Sequence, residues 1–353
     1  MTDGPLLRIE NLNVTYWTRP GLGLRQKPFH AVKGATLSIH TGQTLGLVGE
    51  SGSGKSSIAN AVLGLVPAAS GSIRFAGSEL ATRKKYPPQV RKEIQAVFQD
   101  PFSSLNPAMT VEDIVTEPLK IHLNMSEAQR RARAVELLNM VSLSEEHLDR
   151  HPYQFSGGQR QRIAIASALA LQPRLVVLDE PVSALDVSTQ NQIINLLYER
   201  RDALGIAYLL IAHDLALVHH ISDRIAVMYL GHIVEEGPAD RVYSAPAHPY
   251  TRALLDAVPV LDPAEQRKRR ARRRSAPAQE TPRDADIGCP YKNRCPLVMT
   301  RCQAEMPPPY PIAGGGVANC FLHAEDTAHQ VERMERIASC PRLASHLHPA
   351  APA

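Results

Sequence analysis

The segment Gly49-Glu50-Ser51-Gly52-Ser53-Gly54-Lys55-Ser56 constrains the fold of this chain more than any other, because it matches G-x-x-x-x-G-K-[ST] at every fixed position. The apolar run from Thr44 to Val48 precedes it as a strand, and Ser57 to Leu63 follows it as a helix. Backbone N–H groups and a helix N-terminus can surround phosphate oxygens in this setting. The pattern predicts an α/β fold with a phosphate-binding loop rather than a glycine-rich turn with a surface lysine.

Polar residues near this loop and after a later apolar run suggest nucleotide chemistry. Lys55 is expected to reach the terminal phosphates, and the Ser56 hydroxyl is expected to ligate Mg²⁺. Asp179 and Glu180 follow the buried-strand pattern 175–178, where an aspartate can hold Mg²⁺ and a glutamate can act on the attacking water. An ordinary solvated Asp-Glu pair at a loop start is the alternative.

Two further candidates come from the residues alone. His213 follows the strand-like run 208–212 and could contact the γ-phosphate, although a lone histidine of this kind is more often structural. Gln99 follows the apolar run 94–98 and could polarise water or complete the Mg²⁺ shell, or could be a surface loop residue.

A second helix N-terminus is also built to accept phosphate. Ser156 is typical of a helix N-cap, Gly157 and Gly158 follow without Cβ atoms, and 161–171 has helical apolar spacing. A monomer that already binds phosphate at residues 49–56 has no evident use for it. The pattern favours a dimer in which the serine and glycines of one copy cover nucleotide held by the other.

These motifs resemble those of the ATP-binding-cassette ATPases, and within them the ATPase subunits of bacterial oligopeptide and dipeptide importers. The general motifs are the signature Phe155-Ser156-Gly157-Gly158-Gln159-Arg160-Gln161-Arg162, the strand end Leu178-Asp179-Glu180-Pro181 and the D-loop Ser183-Ala184-Leu185-Asp186. Segments 98–107, 181–188 and 248–255 and the cysteine-rich tail carry the peptide-importer likeness, which covers roughly residues 5–325. The insertion between Tyr16 and Ala31 and the segment 257–263 resemble the second, F-type, subunit of such importers.

The resemblance implies a P-loop nucleotide-binding domain with a helical subdomain and a small Cys-rich C-terminal extension, and it implies roles for single residues. Catalytic roles fall on Glu180, His213 and Gln99. ATP binding falls on Tyr16, which would stack on adenine, and on Gly49, Ser51, Gly52, Ser53, Gly54, Lys55, Ser56 and Ser57. Mg²⁺ would be held by Ser56, Gln99 and Asp179. The partner's ATP would be contacted by Ser156, Gly157, Gly158 and Gln159, beside the D-loop residue Asp186.

Composition shifts suggest four regions. We expect a nucleotide-binding domain over 1–262, with its helical subdomain at about 108–155, and a basic, proline-rich linker over 263–286. A Cys-rich domain over 287–325 and a disordered tail over 326–353 follow. The run Arg267 to Arg274 in the linker is interpreted as solvated chain; contact with anionic lipid or nucleic acid is the alternative.

All five cysteines lie beyond residue 288, and four of them have the spacing C-x5-C-x6-C-x17-C. In a cytosolic chain, as we expect this one to be, such clustering favours a metal over disulfides. The spacing leaves zinc, an iron–sulfur cluster and vacant thiols open. The resemblance favours a [4Fe–4S] cluster on Cys289, Cys295, Cys302 and Cys320, with Cys340 free.

The expected function is that of an ATP-hydrolysing subunit of a peptide importer, peripheral on the cytoplasmic face of the membrane. No apolar run approaches the roughly 20 residues that span a bilayer, and the N-terminus lacks signal-peptide features. The implied partners are a second ATPase subunit, two transmembrane permease subunits and an extracytoplasmic substrate-binding protein, with no nucleic acid. Nickel chelates, glutathione or oligosaccharides are alternative cargoes. A soluble ATPase acting on nucleic acid and a regulatory iron–sulfur module are the rival classes.

Overall fold

An eight-stranded sheet and a four-stranded sheet form the α/β fold of the chain. The computed structural model describes residues 4–18, 27–80, 86–100, 104–258, 267 and 287–324. The linker at 263–286, apart from Arg267, and the tail at 326–353 therefore lie outside the described residues, as does Cys340.

The larger sheet has a parallel centre in the order β9-β3-β8-β7-β6. These strands are β3 (Thr44–Val48), β6 (Ile94–Val97), β7 (Leu175–Asp179), β8 (Ala207–Ala212) and β9 (Arg224–Tyr229). Every residue of β3 and β8 is buried, as expected of parallel strands covered on both faces. The strands place their carboxyl ends at one edge, so the residues after β3, β7 and β8 meet there.

The smaller sheet is antiparallel, in the order β2-β1-β4-β5. Its strands are β1 (Leu7–Thr18), β2 (Lys27–Ile39), β4 (Ser70–Phe75) and β5 (Ser78–Glu79). Apolar residues of this sheet share one core with α1 (Lys55–Val62) and with one face of the larger sheet. Tyr16 on β1 pairs with Phe29 on β2.

The stretch before the signature is helical. It follows α2 (Pro88–Glu93) and β6, and it contains α3 (Val111–His122), α4 (Glu127–Met140) and two short 3-10 turns, with no strand among described residues 104–154. The signature helix α5 (Gly157–Leu169) comes next. Both α4 and α5 begin with the same capping box, in which the side chains of a serine and of the glutamine three residues later each accept a hydrogen bond from the other's backbone N–H.

Five further helices lie around the larger sheet in the described residues, and all of them except α6 are short. They are α6 (Val187–Leu204), α7 (Leu215–Ile221), α8 (Ala239–Ser244), α9 (Pro249–Ala257) and α10 (Thr300–Ala304). Strand β10 (His232–Pro238) runs antiparallel to β9.

The cysteine-rich segment 287–324 continues the larger sheet. Its strands β11 (Tyr310–Pro311) and β12 (Val317–Ala318) extend β10 in antiparallel pairing. Cys289, Cys295 and Cys302 belong to the same apolar core as the helical stretch and the larger sheet. A segment of this size buries too little apolar surface to be stable alone, and packing on the sheet supplies what it lacks.

The buried side chain of His248 makes the stability of the fold depend on pH. It is 1% exposed, its Nδ1 accepts from the backbone N–H of Tyr250 at 3.0 Å, and burial, with a smaller contribution from His323, lowers its pKa to about 3. The unfolded chain therefore binds a proton below about pH 6.5 that the folded chain does not. Stability from this group is present above pH 6.5 and declines as pH falls towards 3.

We expect urea unfolding to show this loss as a difference between two proteins. Between pH 7.5 and 5.5 the parent should lose about 1.4 kcal/mol more unfolding free energy than His248→Asn, which keeps a helix-capping acceptor but does not titrate. Other groups titrate equally in both proteins and cancel in the comparison. If the unfolding free energies of the two proteins changed equally with pH, His248 would take up its proton equally in the folded and the unfolded chain.

Candidate active site

The loop 49–56 joins β3 to α1 and closes tightly on itself. Gly54 has a φ of 111°, and a Cβ atom there would lie 2.3 Å from the carbonyl oxygen of Ala31. A Cβ atom at Gly49 would lie 2.1 Å from the carbonyl oxygen of Met228. Only glycine fits these two positions, so the motif's first and last glycines are required by the packing of the loop.

Lys55 is held inside the loop. Its Nζ donates to the carbonyl oxygens of Gly49 at 2.8 Å and Glu50 at 3.0 Å, and the residue is 5% exposed. Burial lowers its pKa, while Glu180, Asp179 and Glu50 act in the opposite direction. The buried hydroxyl of Ser53 has no hydrogen-bond partner among the described atoms. A donor group without a partner inside a glycine loop fits a phosphate ligand.

Asp179 faces the start of α1 from the end of β7. The Ser56 hydroxyl donates to its Oδ1 at 3.3 Å. Burial raises the pKa of Asp179; Glu180 adds to the rise, and the Ser56 hydrogen bond and Lys55 reduce it. A hydroxyl and a carboxylate brought together from two elements are oxygen ligands of the kind Mg²⁺ prefers.

Glu180 is the point at which three predicted catalytic side chains meet. Gln99 Nε2 donates to Glu180 Oε2 at 3.0 Å, and His213 Nδ1 lies 3.4 Å from the same oxygen. Glu180 itself has a φ of 48°, and its N–H donates to the carbonyl of Ile211 at 2.9 Å. A left-handed conformation in a non-glycine residue costs energy and is held here by the neighbouring strand β8.

These groups line one cavity of about 380 Å³. Its walls are Phe29, Ala31, Ser51, Gly52, Gly54, Lys55, Ser56, Ser57, Gln99, Glu180 and His213.

Phe29 and Ala31 were missed from the sequence. Tyr16, the predicted adenine-stacking residue, donates from its hydroxyl to Ser57 Oγ at 3.3 Å and pairs with Phe29, while Trp17 is 64% exposed. No sequence signal identified Phe29, because its pairing with Tyr16 across β1 and β2 is a feature of the tertiary structure.

The signature residues lie elsewhere. Residues 156–159 do not line the cavity, and Ser156 and Gly157 are exposed at the start of α5. Ser156 Oγ accepts from the N–H of Gln159 at 3.3 Å, and a Cβ atom at Gly158 would lie 2.4 Å from Thr189 Cγ2. The D-loop residue Asp186 caps α6, and the hydrogen bonds from Thr189 lower its pKa.

The four clustered cysteines are buried as free thiols. Burial raises the pKa of Cys289 and Cys295 to about 11 and that of Cys320 to about 12, and the N–H of Cys289 donates to the carbonyl of Cys302 at 2.8 Å. Within the described residues, no group of three or more His, Cys, Asp or Glu side chains is arranged to hold a metal ion. The expected [4Fe–4S] ligand set is therefore not seen among the described residues.

Known proteins share both parts of the chain. The family described as "ABC transporter" matches residues 32–183, and the "Oligopeptide/dipeptide transporter, C-terminal region" matches residues 234–302. A probable peptide ABC transporter ATP-binding protein of Sinorhizobium fredii is 43% identical, over 94% of this chain and 93% of its own length. The oligopeptide transport ATP-binding protein OppF of Escherichia coli is 45% identical, over 86% of this chain and 92% of its own.

A solved structure supports the fold. The dimeric ATP-binding cassette MJ0796, in a post-hydrolysis state bound to ADP and Pi, aligns with a TM-score of 0.58 and 30% identity over 66% of this chain and 98% of its own. No helix among the described residues is long and apolar enough to cross a bilayer. The expected α/β nucleotide-binding fold is confirmed, and the chain belongs to the ABC transporter family of ATP-hydrolysing proteins, in the branch with the oligopeptide/dipeptide transporter C-terminal region.

Proposed function

We propose that this chain hydrolyses ATP to energise the import of dipeptides and oligopeptides across the cytoplasmic membrane. The observation that carries the proposal is the meeting of Gln99 and His213 on Glu180, in the cavity that also holds Lys55. Relatives named as peptide, oligopeptide and D,D-dipeptide transport ATP-binding proteins support the cargo class, and OppF and DdpF support the second-subunit assignment.

The loop would hold the phosphates of ATP. Lys55 would exchange its two carbonyl partners for phosphate oxygens, and Ser53 would supply a donor that now lacks a partner. Mg²⁺ held by Ser56, Asp179 and Gln99 would neutralise charge that develops on the phosphate oxygens. The remaining ATP contacts proposed are those expected from the motif, with Tyr16 beside the adenine.

Hydrolysis would depend on the Glu180 carboxylate. Its Oε2 would accept a proton from the attacking water, which must lie within hydrogen-bond reach of that oxygen. Gln99 and His213 already contact the same oxygen, so they hold the carboxylate in place; His213 would also contact the γ-phosphate. The loss of the proton to Glu180 makes the water a better nucleophile at the moment of attack.

The signature would serve a nucleotide bound by another subunit. Ser156 to Gln159 lie outside this chain's own cavity yet present a capped, glycine-rich helix start. The dimeric state described for the similar cassette bound to ADP and Pi supports this arrangement. We infer that a second ATPase subunit completes two shared sites, with Asp186 at the contact between them.

The assembled importer would contain two further kinds of protein. Two transmembrane permease subunits would hold this chain at the cytoplasmic face, through the helical stretch at 108–155 and the segment around Gln99, and an extracytoplasmic binding protein would deliver cargo. The domain boundaries at 262, 286 and 325 belong to this proposal. Nucleic acid has no part in it, and glutathione, nickel chelates or oligosaccharides are alternative cargoes; one relative is named as a glutathione import protein.

The test is ATPase activity of the complete importer in lipid vesicles. The chain copurified with its partner subunits should hydrolyse ATP faster when peptide-loaded binding protein is added. Labelled peptide should accumulate on the side of the membrane opposite the binding protein, where the ATPase subunits lie. Glutathione, a nickel chelate and an oligosaccharide serve as competing cargoes. Stimulation by DNA or RNA instead would favour the rival class. A [4Fe–4S] cluster remains a separate prediction, measured by iron content and visible absorption of anaerobically purified protein.

A further inference from the structure

The cysteine-rich segment reaches the phosphate-binding loop through one arginine. Arg294 Nη1 donates to Glu50 Oε2 at 2.9 Å, and Nη2 donates to Glu50 Oε1 at 3.0 Å. Glu50 is the second residue of the loop motif, 244 positions earlier in the chain. Two parallel bonds between a planar guanidinium and a carboxylate fix direction as well as distance, unlike most exposed ion pairs.

Arg294 packs against two members of a cluster of three buried tyrosines. Tyr229 ends β9, Tyr250 lies on α9 and Tyr291 belongs to the cysteine-rich segment; their ring centroids lie 4.5 to 5.4 Å apart. The guanidinium carbon lies 5.8 Å from the ring centre of Tyr229 and 5.7 Å from that of Tyr291. Aromatic contacts on its flank limit the positions open to the guanidinium and favour the one that faces Glu50.

Glu50 is bound at its backbone as well as at its carboxylate. Its N–H donates to the Tyr250 hydroxyl at 2.9 Å, and its carbonyl accepts from Lys55 Nζ at 3.0 Å and from the N–H of Ser53 at 3.1 Å. The residue therefore connects Arg294 and Tyr250 directly to Lys55, which lines the cavity, and to Ser53 of the same loop. A shift of Glu50 would move Lys55 and Ser53 with it.

The charge of Glu50 also needs a partner. The carboxylate of Glu180 lines the cavity, that of Asp179 lies next to it against the Ser56 hydroxyl, and ATP brings several negative charges. An unpaired third carboxylate on the loop would repel the phosphates. Arg294 supplies one positive charge to that carboxylate from outside the cavity.

We propose that Arg294 is a positioning residue for ATP binding: through Glu50 it holds the phosphate-binding loop in its binding conformation and neutralises the loop's acidic charge. This inference rests on the proposed role of residues 49–56 in binding ATP. It also assigns a task to the cysteine-rich segment, which holds Arg294 between Cys289 and Cys295 and against the tyrosines. The cysteine-rich segment thus supports the proposed ATP site, although the loop motif of that site ends at Ser56.

The experiment measures the Kd for ATP with Mg²⁺ by calorimetry on the full chain. Arg294→Ala should raise Kd about three- to tenfold, the size expected for a lost charge-assisted contact. Arg294→Lys keeps the charge but loses the two-pronged geometry, and its Kd should lie between those of the parent and of Arg294→Ala. In the assembled importer, KM for ATP should rise by a larger factor than kcat falls.

A second substitution separates this role from a purely structural one. Glu50→Gln added to Arg294→Ala removes the unpaired carboxylate and should recover part of the lost affinity, because the repulsion ends while the two-pronged contact stays absent; independent sites would show no such coupling. Lys292→Ala is the matched control, because Lys292 bonds the carbonyls of Ile287 and Gln303 within the segment. Its Kd should equal that of the parent.

Two outcomes distinguish the inference from the proposed function. If Lys55→Ala weakens ATP binding but neither Arg294 variant does, the positioning role is wrong and the loop assignment stands. If Lys55→Ala leaves Kd unchanged, the loop assignment itself fails. Should Arg294→Ala unfold, as seen by its melting temperature, Arg294→Lys alone decides: a Kd equal to the parent's overturns the role.

Discussion

Replacing Glu180 by Gln is expected to lower kcat for ATP hydrolysis about 10²–10⁴-fold in the assembled importer, the usual contribution of a general base. The amide keeps the size of the side chain but cannot accept the proton of the attacking water. Glu180 is not part of the loop 49–56 that is expected to bind the phosphates, so the Kd for ATP should change little. Steady-state hydrolysis and equilibrium nucleotide binding on the same protein measure the two effects.

The matched control for this variant is Glu199→Gln on α6. The Glu199 side chain is 65% exposed, its Oε2 lies 3.4 Å from Arg200 Nη2, and the residue does not line the cavity. The Glu199→Gln variant should hydrolyse ATP at the parent rate. Equal rates for the Glu180 variant and the parent would mean that another group accepts the proton.

Replacing Ser156 by Asp is expected to reduce hydrolysis in the assembled importer by about a hundredfold or more. Asp caps a helix as well as Ser does, so α5 should keep its start and the chain its stability. The new carboxylate would lie where the partner's nucleotide phosphates are expected, and like charges placed together cost several kcal/mol, with each ~1.4 kcal/mol worth tenfold. ATP binding by the isolated chain should be unchanged, since Ser156 is outside its own cavity.

A second capping box in the chain offers the control for this experiment. Ser126 and Gln129 at the start of α4 exchange the same two hydrogen bonds as Ser156 and Gln159. Ser126→Asp should therefore have the same effect on helix capping and none on hydrolysis. Loss of activity in both variants would point to helix destabilisation, and activity in both would contradict a role for the signature at the partner's nucleotide.

The local motifs were predictable because their residues are neighbours in the chain. The strand, loop and helix around 44–62 follow from apolar spacing and glycine placement, and the capped helix at Ser156 follows from its own first residues. The helical stretch before the signature was equally legible. In each case the chemistry depends on contacts within a few residues, which the order of amino acids determines.

The cysteine-rich segment shows where such reasoning stops. Its spacing suggested an appended module with a [4Fe–4S] cluster; the segment instead extends the larger sheet through β12, places Cys289, Cys295 and Cys302 in the shared core, and shows no metal-ligand group among the described residues. Spacing alone cannot tell a metal ligand from a small apolar side chain. That distinction depends on which surface the segment packs against, and a surface made by β10 is not visible in the segment's own residues.

By itself, the sequence determined the glycine-rich loop between β3 and α1, the carboxylate pair at the end of β7, the capped signature helix and the family to which they belong. Only the tertiary structure decided that Gln99 and His213 meet on one oxygen of Glu180, that Phe29 lines the cavity and that Arg294 holds Glu50. The reason is distance along the chain. Parallel strands bring their carboxyl ends to one edge whatever the separation of their residues, and the order β9-β3-β8-β7-β6 fixes which ends become neighbours.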